Sequence, residues 1–348
     1  MLTQSEKIVR PPRDRSIDVL KGLGIAIIAM GHIDYSGVGE SFAQYLYMFN
    51  VALFFIVAGY NWRQKPGQRM WAAITQKFRQ IYLPYVVLFT ISILYGHLVV
   101  RYVFGQYVIP FEWKPTLKAL LFSSEWLNSV PTFNFALWFL PLFFIASVAF
   151  LFLQKIRNRY LYATVLLLIV LASLPIQQLI PGRPILNINV VAVAVAFMGC
   201  GYLLKKHLRV HKIKLLTLLV LFAFTLLAAF YYPGNVSAIN TYWYFPSALA
   251  SFAIILRLAH EFRSSSLLSF IGSNSLLIFG IHGLIANSYP ESHISQYLAS
   301  SWGGLMLYLV NLVYVVFGSL IVVILFKKIS RAVHGAFARK DRFSVFRR

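Results

Sequence analysis

Residues 18–34 read DVLKGLGIAIIAMGHID, an apolar segment of membrane-span character with Lys21 near one end and His32 near the other. Ionisable side chains are costly in a bilayer core and persist there when they face a protein interior or a water-filled cavity, which makes both residues candidate functional groups. In a helix, the step from Lys21 to His32 covers roughly 16 Å along the axis. At about three turns, the two lie near the same face.

Composition fixes the class. The 348 residues are 59% hydrophobic and 12% charged, with a mean hydropathy of +0.70, whereas soluble domains average about 25% charged. Apolar runs at 18–35, 45–61, 80–100, 136–153, 160–178, 187–204, 214–231, 242–258, 267–287 and 303–326 each approach the ~20 residues a bilayer requires. The expected fold is an all-α integral membrane protein with about ten transmembrane helices.

A net charge of +22 would point to nucleic acid if the bases formed a patch on a folded surface. They fall instead in short segments between apolar runs, the pattern that sets membrane topology, and no nucleic-acid partner is expected. With the first segment inside, all 32 Lys and Arg residues except Arg101, Lys114, Lys118 and Arg183 are cytoplasmic, Lys21 counted among them, so both termini are expected in the cytoplasm. The expected organisation is a cytoplasmic segment at 1–16, a transmembrane domain at 17–328 and a basic cytoplasmic tail at 329–348, with no second soluble domain. Pro11-Pro12 argues against a helix in the first segment. The basic start, apolar core and small residues at 29–31 could pass for a signal peptide, but Lys21 and His32 interrupt the core, and a retained first span is expected.

Several features have plain readings. The tail from Lys327 is a topology anchor that meets anionic lipid of the bilayer. His207 and His211 stand at i and i+4, a spacing that can hold a metal on a helix, yet no carboxylate or thiolate accompanies them, and a solvated basic loop with no metal is expected. The lone Cys200 excludes an intramolecular disulfide and reads as a small buried hydrophobe. The segment at 102–135, with Glu112, Trp113, Glu125 and Trp126, is long enough to require structure of its own, and a short interfacial helix is expected at 115–122.

Within the spans the ionisable groups are Lys21, His32, Asp34, His97 and His282, with Arg257 and His260 near a cytoplasmic end. Asp18 can pair with Lys21 at i,i+3, so a structural salt bridge is the alternative for Lys21. For His32 the alternative is a core histidine satisfied by a backbone carbonyl. Asp34 is two residues from His32 and can orient the imidazole only if the helix ends or unwinds at Gly31 or beyond. His282 falls in the outer half of its span, at the depth of His32. Histidine suits general-base work near neutral pH, and a cation at the cytoplasmic mouth suits a phosphate-bearing donor.

The arrangement of Arg15-Ser16-Ile17-Asp18, Lys21-Gly22 and Gly31-His32 resembles the first-span signature of membrane acyltransferase family 3, in which a basic residue precedes the key histidine by ten intervening positions. Phe54 to Tyr60 (FFIVAGY) resembles the family's FFxxSG segment, with Ala58 where serine is usual. Lys77 to Pro84 (KFRQIYLP) is similar to its basic, proline-ended start of span three, Leu137 to Leu140 (LWFL) to its span-four motif, and Ile271 to Leu276 with His282 to its late-span GxxSL and histidine element.

The resemblance implies a bacterial inner-membrane enzyme that transfers an acyl group, usually acetyl from acetyl-CoA, to a hydroxyl of an extracytoplasmic glycan or lipid-linked sugar acceptor. By carry-over, His32 is the catalytic base or a transient acyl carrier, with His282 beside it. Lys21, Lys77 and Arg79 bind the CoA phosphates; Trp138, Asn274 and Asp34 line the acceptor side. Polysaccharide-assembly proteins or a second copy of the chain are the implied protein partners. The alternative is an exporter of polysaccharide or small solutes that uses the same cavity without chemistry; a membrane scaffold is the third reading.

Overall fold

The computed structural model describes residues 14–33, 39–63, 67–105, 107–123, 129–130, 132–208, 212–286 and 301–345. Asp34, His211, Glu125, Trp126 and residues 1–13, all read from the sequence, lie outside them. Among the described residues, fourteen α-helices follow in chain order: α1 (Arg15–Gly31), α2 (Glu40–Tyr47), α3 (Asn50–Tyr60), α4 (Met70–Lys77), α5 (Leu83–Tyr95), α6 (Trp113–Phe122), α7 (Phe139–Leu153), α8 (Arg159–Leu179), α9 (Val191–His207), α10 (Leu215–Tyr231), α11 (Tyr244–Glu261), α12 (Ser266–Ser273), α13 (Ser275–Ala286) and α14 (Ser301–Val345). The expected interfacial helix is α6. An isolated antiparallel bridge, Asn235 to Ala238, is the one non-helical pairing among the described residues.

Among the described residues, seven helical segments are long and apolar enough to cross a membrane, and the bent pair α12–α13 makes an eighth if it counts as one span. Helices α1 and α10, each of 17 residues, reach about 25 Å against a hydrocarbon core of about 30 Å. All ten apolar runs are therefore helical, and two of them are short. Leucines on α8 and α10 and the Val313, Phe317, Ile321 stripe of α14 are exposed, an apolar surface suited to lipid.

Between helices in lipid there is little hydrophobic drive, and packing relies on close backbone approach at small residues. Two crossings do this. At the first, α1 lies on α12 with Gly22 against the Leu268 carbonyl and Gly272 against the Asp18 carbonyl, and a Cβ at either glycine would collide with the facing backbone. At the second, α3 lies on α9, with Gly59 against Met198 and Gly201 against Ile56 in the same manner. The first-span, FFIVAGY and late-span motifs thus each meet a helix partner through a glycine. Around these crossings sits a single large apolar core contributed by α1, α3, α5, α7, α9, α11 and α13.

Two of the irregularities in the helices bear on the site. Pro84, at the start of α5, has no N–H to donate and its ring crowds the preceding turn. The ladder relaxes into a π-helical turn at Phe78–Tyr82, with the Leu83 N–H reaching the Phe78 carbonyl, which rotates α4 relative to α5. The expected ninth span is bent by 83° between α12 and α13.

Gly272→Ala is expected to destabilise the protein by about 1–3 kcal/mol through overpacking, read as a lowered thermal-unfolding midpoint of the detergent-solubilised protein. An unchanged midpoint would contradict the close backbone contact between α1 and α12.

Candidate active site

Asp14 starts α1: its Oδ1 accepts from the Ser16 amide at 3.0 Å and the Ser16 hydroxyl at 2.6 Å. The helix stops at His32, whose φ of −108° and ψ of 2° fall in the bridge region that active-site residues often occupy. A helix end inside a protein needs partners for its last carbonyls. The Tyr308 hydroxyl of α14 donates to the Met30 carbonyl at 3.0 Å, and the Tyr47 hydroxyl of α2 to the Gly31 carbonyl at 2.5 Å. Two neighbouring helices therefore fix the point at which His32 leaves α1. The helix does end at Gly31, the condition on which Asp34 could orient His32.

His282, on α13, is fully buried. Its Nδ1 lies 2.7 Å from the Phe279 carbonyl, and since a carbonyl only accepts, Nδ1 carries the hydrogen and Nε2 is the basic nitrogen of the neutral ring. The imidazoles of His32 and His282 face each other with centroids 5.4 Å apart and planes tilted by 32°. Two histidines 250 positions apart in the chain form one cluster.

The turn that carries His282 is held by Asn134, a buried amide whose Nδ2 donates to the Gly280 carbonyl at 2.7 Å and to Ser92 Oγ at 3.3 Å. Gly283 leaves room for it: a Cβ there would stand 2.8 Å from Asn134 Oδ1. Phe133, just before it, has φ of +47°, a strained conformation for an aromatic residue of the kind retained near functional sites. On the other side, Asn50 is buried with its Nδ2 beside Gly31 and no hydrogen-bond acceptor among the described residues. Neither asparagine stands out among the ionisable groups of the sequence; an amide inside an apolar run carries the same signal.

A cavity of about 740 Å³ leads toward the pair. The stripe Asp14, Ile17, Asp18, Lys21 of α1 forms one wall, and Trp62, Arg63, Gln76, Lys77 and Gln80 form the polar part of another. Lys77 Nζ lies over the Trp62 ring at 5.5 Å. The far end is aromatic: Phe54, Phe139 and Phe279 line it, with Phe139 6.3 Å from Phe54 and 5.2 Å from Phe279 between ring centroids. The Phe279 ring stands 5.6 Å from that of His282. Phe279 thus lines the cavity with its side chain and orients His282 with its carbonyl.

Of the residues picked from sequence, Lys21 and Lys77 share this cavity and His32 and His282 share the cluster. Arg79 does not join the lysines. It is exposed and borders a separate surface depression with Thr75 and Gln80, because residues two apart on a helical segment do not share a face. Asn274 sits in the α12–α13 bend, where its Nδ2 donates to the Phe270 carbonyl at 2.7 Å; this amide caps a helix end and does not line the cavity. Trp138 packs edge-on against Phe139 at 6.4 Å in the apolar core, also off the cavity wall. Trp62 and Arg63, which follow the FFIVAGY segment, are cavity residues that sequence reading did not select.

No curated protein and no solved structure matches the chain. A family model described as an acyltransferase domain matches residues 14–326, a span that contains both histidines, both cavity lysines and the helix crossings. The chain belongs to acyltransferase family 3, a family of membrane acyltransferases.

Proposed function

We propose that the protein is an O-acyltransferase of the bacterial inner membrane that moves acetyl from acetyl-CoA to a hydroxyl of an extracytoplasmic or lipid-linked polysaccharide. The observation that carries the reading is Phe279, which lines the cation-bearing cavity and packs against His282 of the histidine pair. Donor and base are thereby brought to the two sides of one residue.

The cavity suits CoA in size and chemistry. Its volume lies within the several hundred Å³ common for small-molecule sites. Lys21, Arg63 and Lys77 supply positive charge for phosphates, and Trp62 offers a flat face for a base. In this proposal the Lys21 end faces the cytoplasm, as the basic loops favour. From there the pantetheine arm runs along α1 and passes the phenylalanines to reach the imidazoles.

In the transfer, the acceptor oxygen attacks the thioester carbonyl as His32 takes its proton; the C–O bond forms, the C–S bond breaks, and the CoA thiolate leaves with that proton. His282, with Nε2 basic, stands beside His32 and shares the charge. Asn50 offers an N–H at the His32 corner for the developing oxyanion.

Export of a glycan by the same fold is the second reading. One observation favours it: the broken span α12–α13, since transporters use discontinuous helices at their binding sites. Inverted-repeat transporters carry a related second break, and none is found among the described residues. Purified protein that binds a CoA thioester supports the enzyme; an exporter has no use for one.

His32→Ala and His282→Ala are each expected to lower transfer from labelled acetyl-CoA in membranes by about 10²–10⁴-fold, with CoA binding retained. Undiminished transfer by inserted His32→Ala protein sinks the base assignment. Lys21→Ala and Lys77→Ala should raise the apparent KM for acetyl-CoA and leave kcat near its original value, whereas Arg79→Ala should change neither. A KM that responds to Arg79 and ignores Lys77 would reverse the placement of the donor phosphates.

A further inference from the structure

A second cavity, of about 20 Å³, touches His282. Its walls come from four helices: Ile25 and Ala29 of α1, Ile271 of α12, Ile278 and His282 of α13, Val315 and Ser319 of α14. By the same measure a single water needs about 10–15 Å³, together with two to four polar partners. Ser319 directs its hydroxyl hydrogen to the Val315 carbonyl of its own helix at 2.6 Å, and apart from His282 the remaining lining side chains are hydrocarbon. The space suits an apolar group about the size of a methyl, held against the imidazole.

The walls are firm. Ala29 and Val315 are buried and belong, with Ile33 and Tyr308, to a small apolar cluster separate from the main core. The Tyr308 bond to the Met30 carbonyl ties α14 to α1 beside it. In such close packing an added methylene has nowhere to go.

We infer that this recess is the acyl pocket: it takes the methyl of the acetyl group, and Ala29 and Val315 exclude longer chains. The inference rests on the acyl-transfer reading and adds to it the residues that select the acyl group. Selection is steric. The thioester carbonyl, between methyl and sulfur, then stands beside the imidazoles.

The test compares acetyl-, propionyl- and butanoyl-CoA as donors for the full-length protein in membranes. Wild type should favour acetyl over propionyl by at least about 10-fold, the usual discrimination of one methylene in a hydrophobic pocket. Val315→Ala should bring the ratio close to one by admitting propionyl, and Ala29→Val should abolish acetyl transfer with CoA binding intact. Phe317→Ala, on the exposed face of α14, should leave the ratio unchanged. If transfer persists and the ratio is the same in wild type and Val315→Ala, the pocket assignment fails and the acyl-transfer reading stands. If wild type transfers none of the three groups, both fall. Should Ala29→Val not fold, Val315→Ala decides alone, because it removes atoms and adds none.

Discussion

A helix that stops inside a protein exposes carbonyls with no partner in their own spiral, and the site depends on how α1 meets that constraint. Hydroxyls from Tyr47 and Tyr308 supply the missing donors, one from each flank. Toward its other end the same helix is pinned by the Gly22–Gly272 crossing on α12. Held at both places, α1 has little freedom to slide, and His32 keeps its distance from His282. The price of a looser arrangement would be an unsatisfied backbone group in an apolar setting, worth several kcal/mol.

Polarity is divided along the cavity in a way that serves group transfer. Cations and amides gather at one end, where phosphates and water can be accommodated. Phenylalanines occupy the other, and beyond them the histidines sit in surroundings of low dielectric, where interactions with developing charge are stronger than in water. The same Phe279 residue belongs to both environments. Side chain and backbone of one residue therefore couple access to orientation.

Much of this was legible in the sequence, and the limits have physical causes. Each of the hydrophobic runs proved helical among the described residues, because about 20 apolar residues admit few other structures, whereas the short helix α4 lies in none of them. The histidine pair followed from depth: two residues placed at similar heights in different spans can meet. The bend at Asn274 was not readable from the run at 267–287, since hydropathy is blind to direction. Arg79 was drawn to the lysines by sequence proximity, yet two positions along a helix it faces away from Lys77. Asn134 and Asn50 carry no charge and so escape a search for titratable groups, although their burial makes them as constrained as the histidines.

The 83° bend has a consequence for how the chain is made. Helices α12 and α13, of eight and twelve residues, are each too short to be stably inserted alone. Helix α13 packs on α14, and α14 also supplies the hydroxyl that holds the end of α1. A ribosome must therefore release the last hydrophobic stretch before either histidine has its final surroundings. A nascent chain lacking α14 has no Tyr308 hydroxyl at the end of α1 and no Val315–Ser319 wall beside His282, so the surroundings of both histidines are completed by the last helix to emerge.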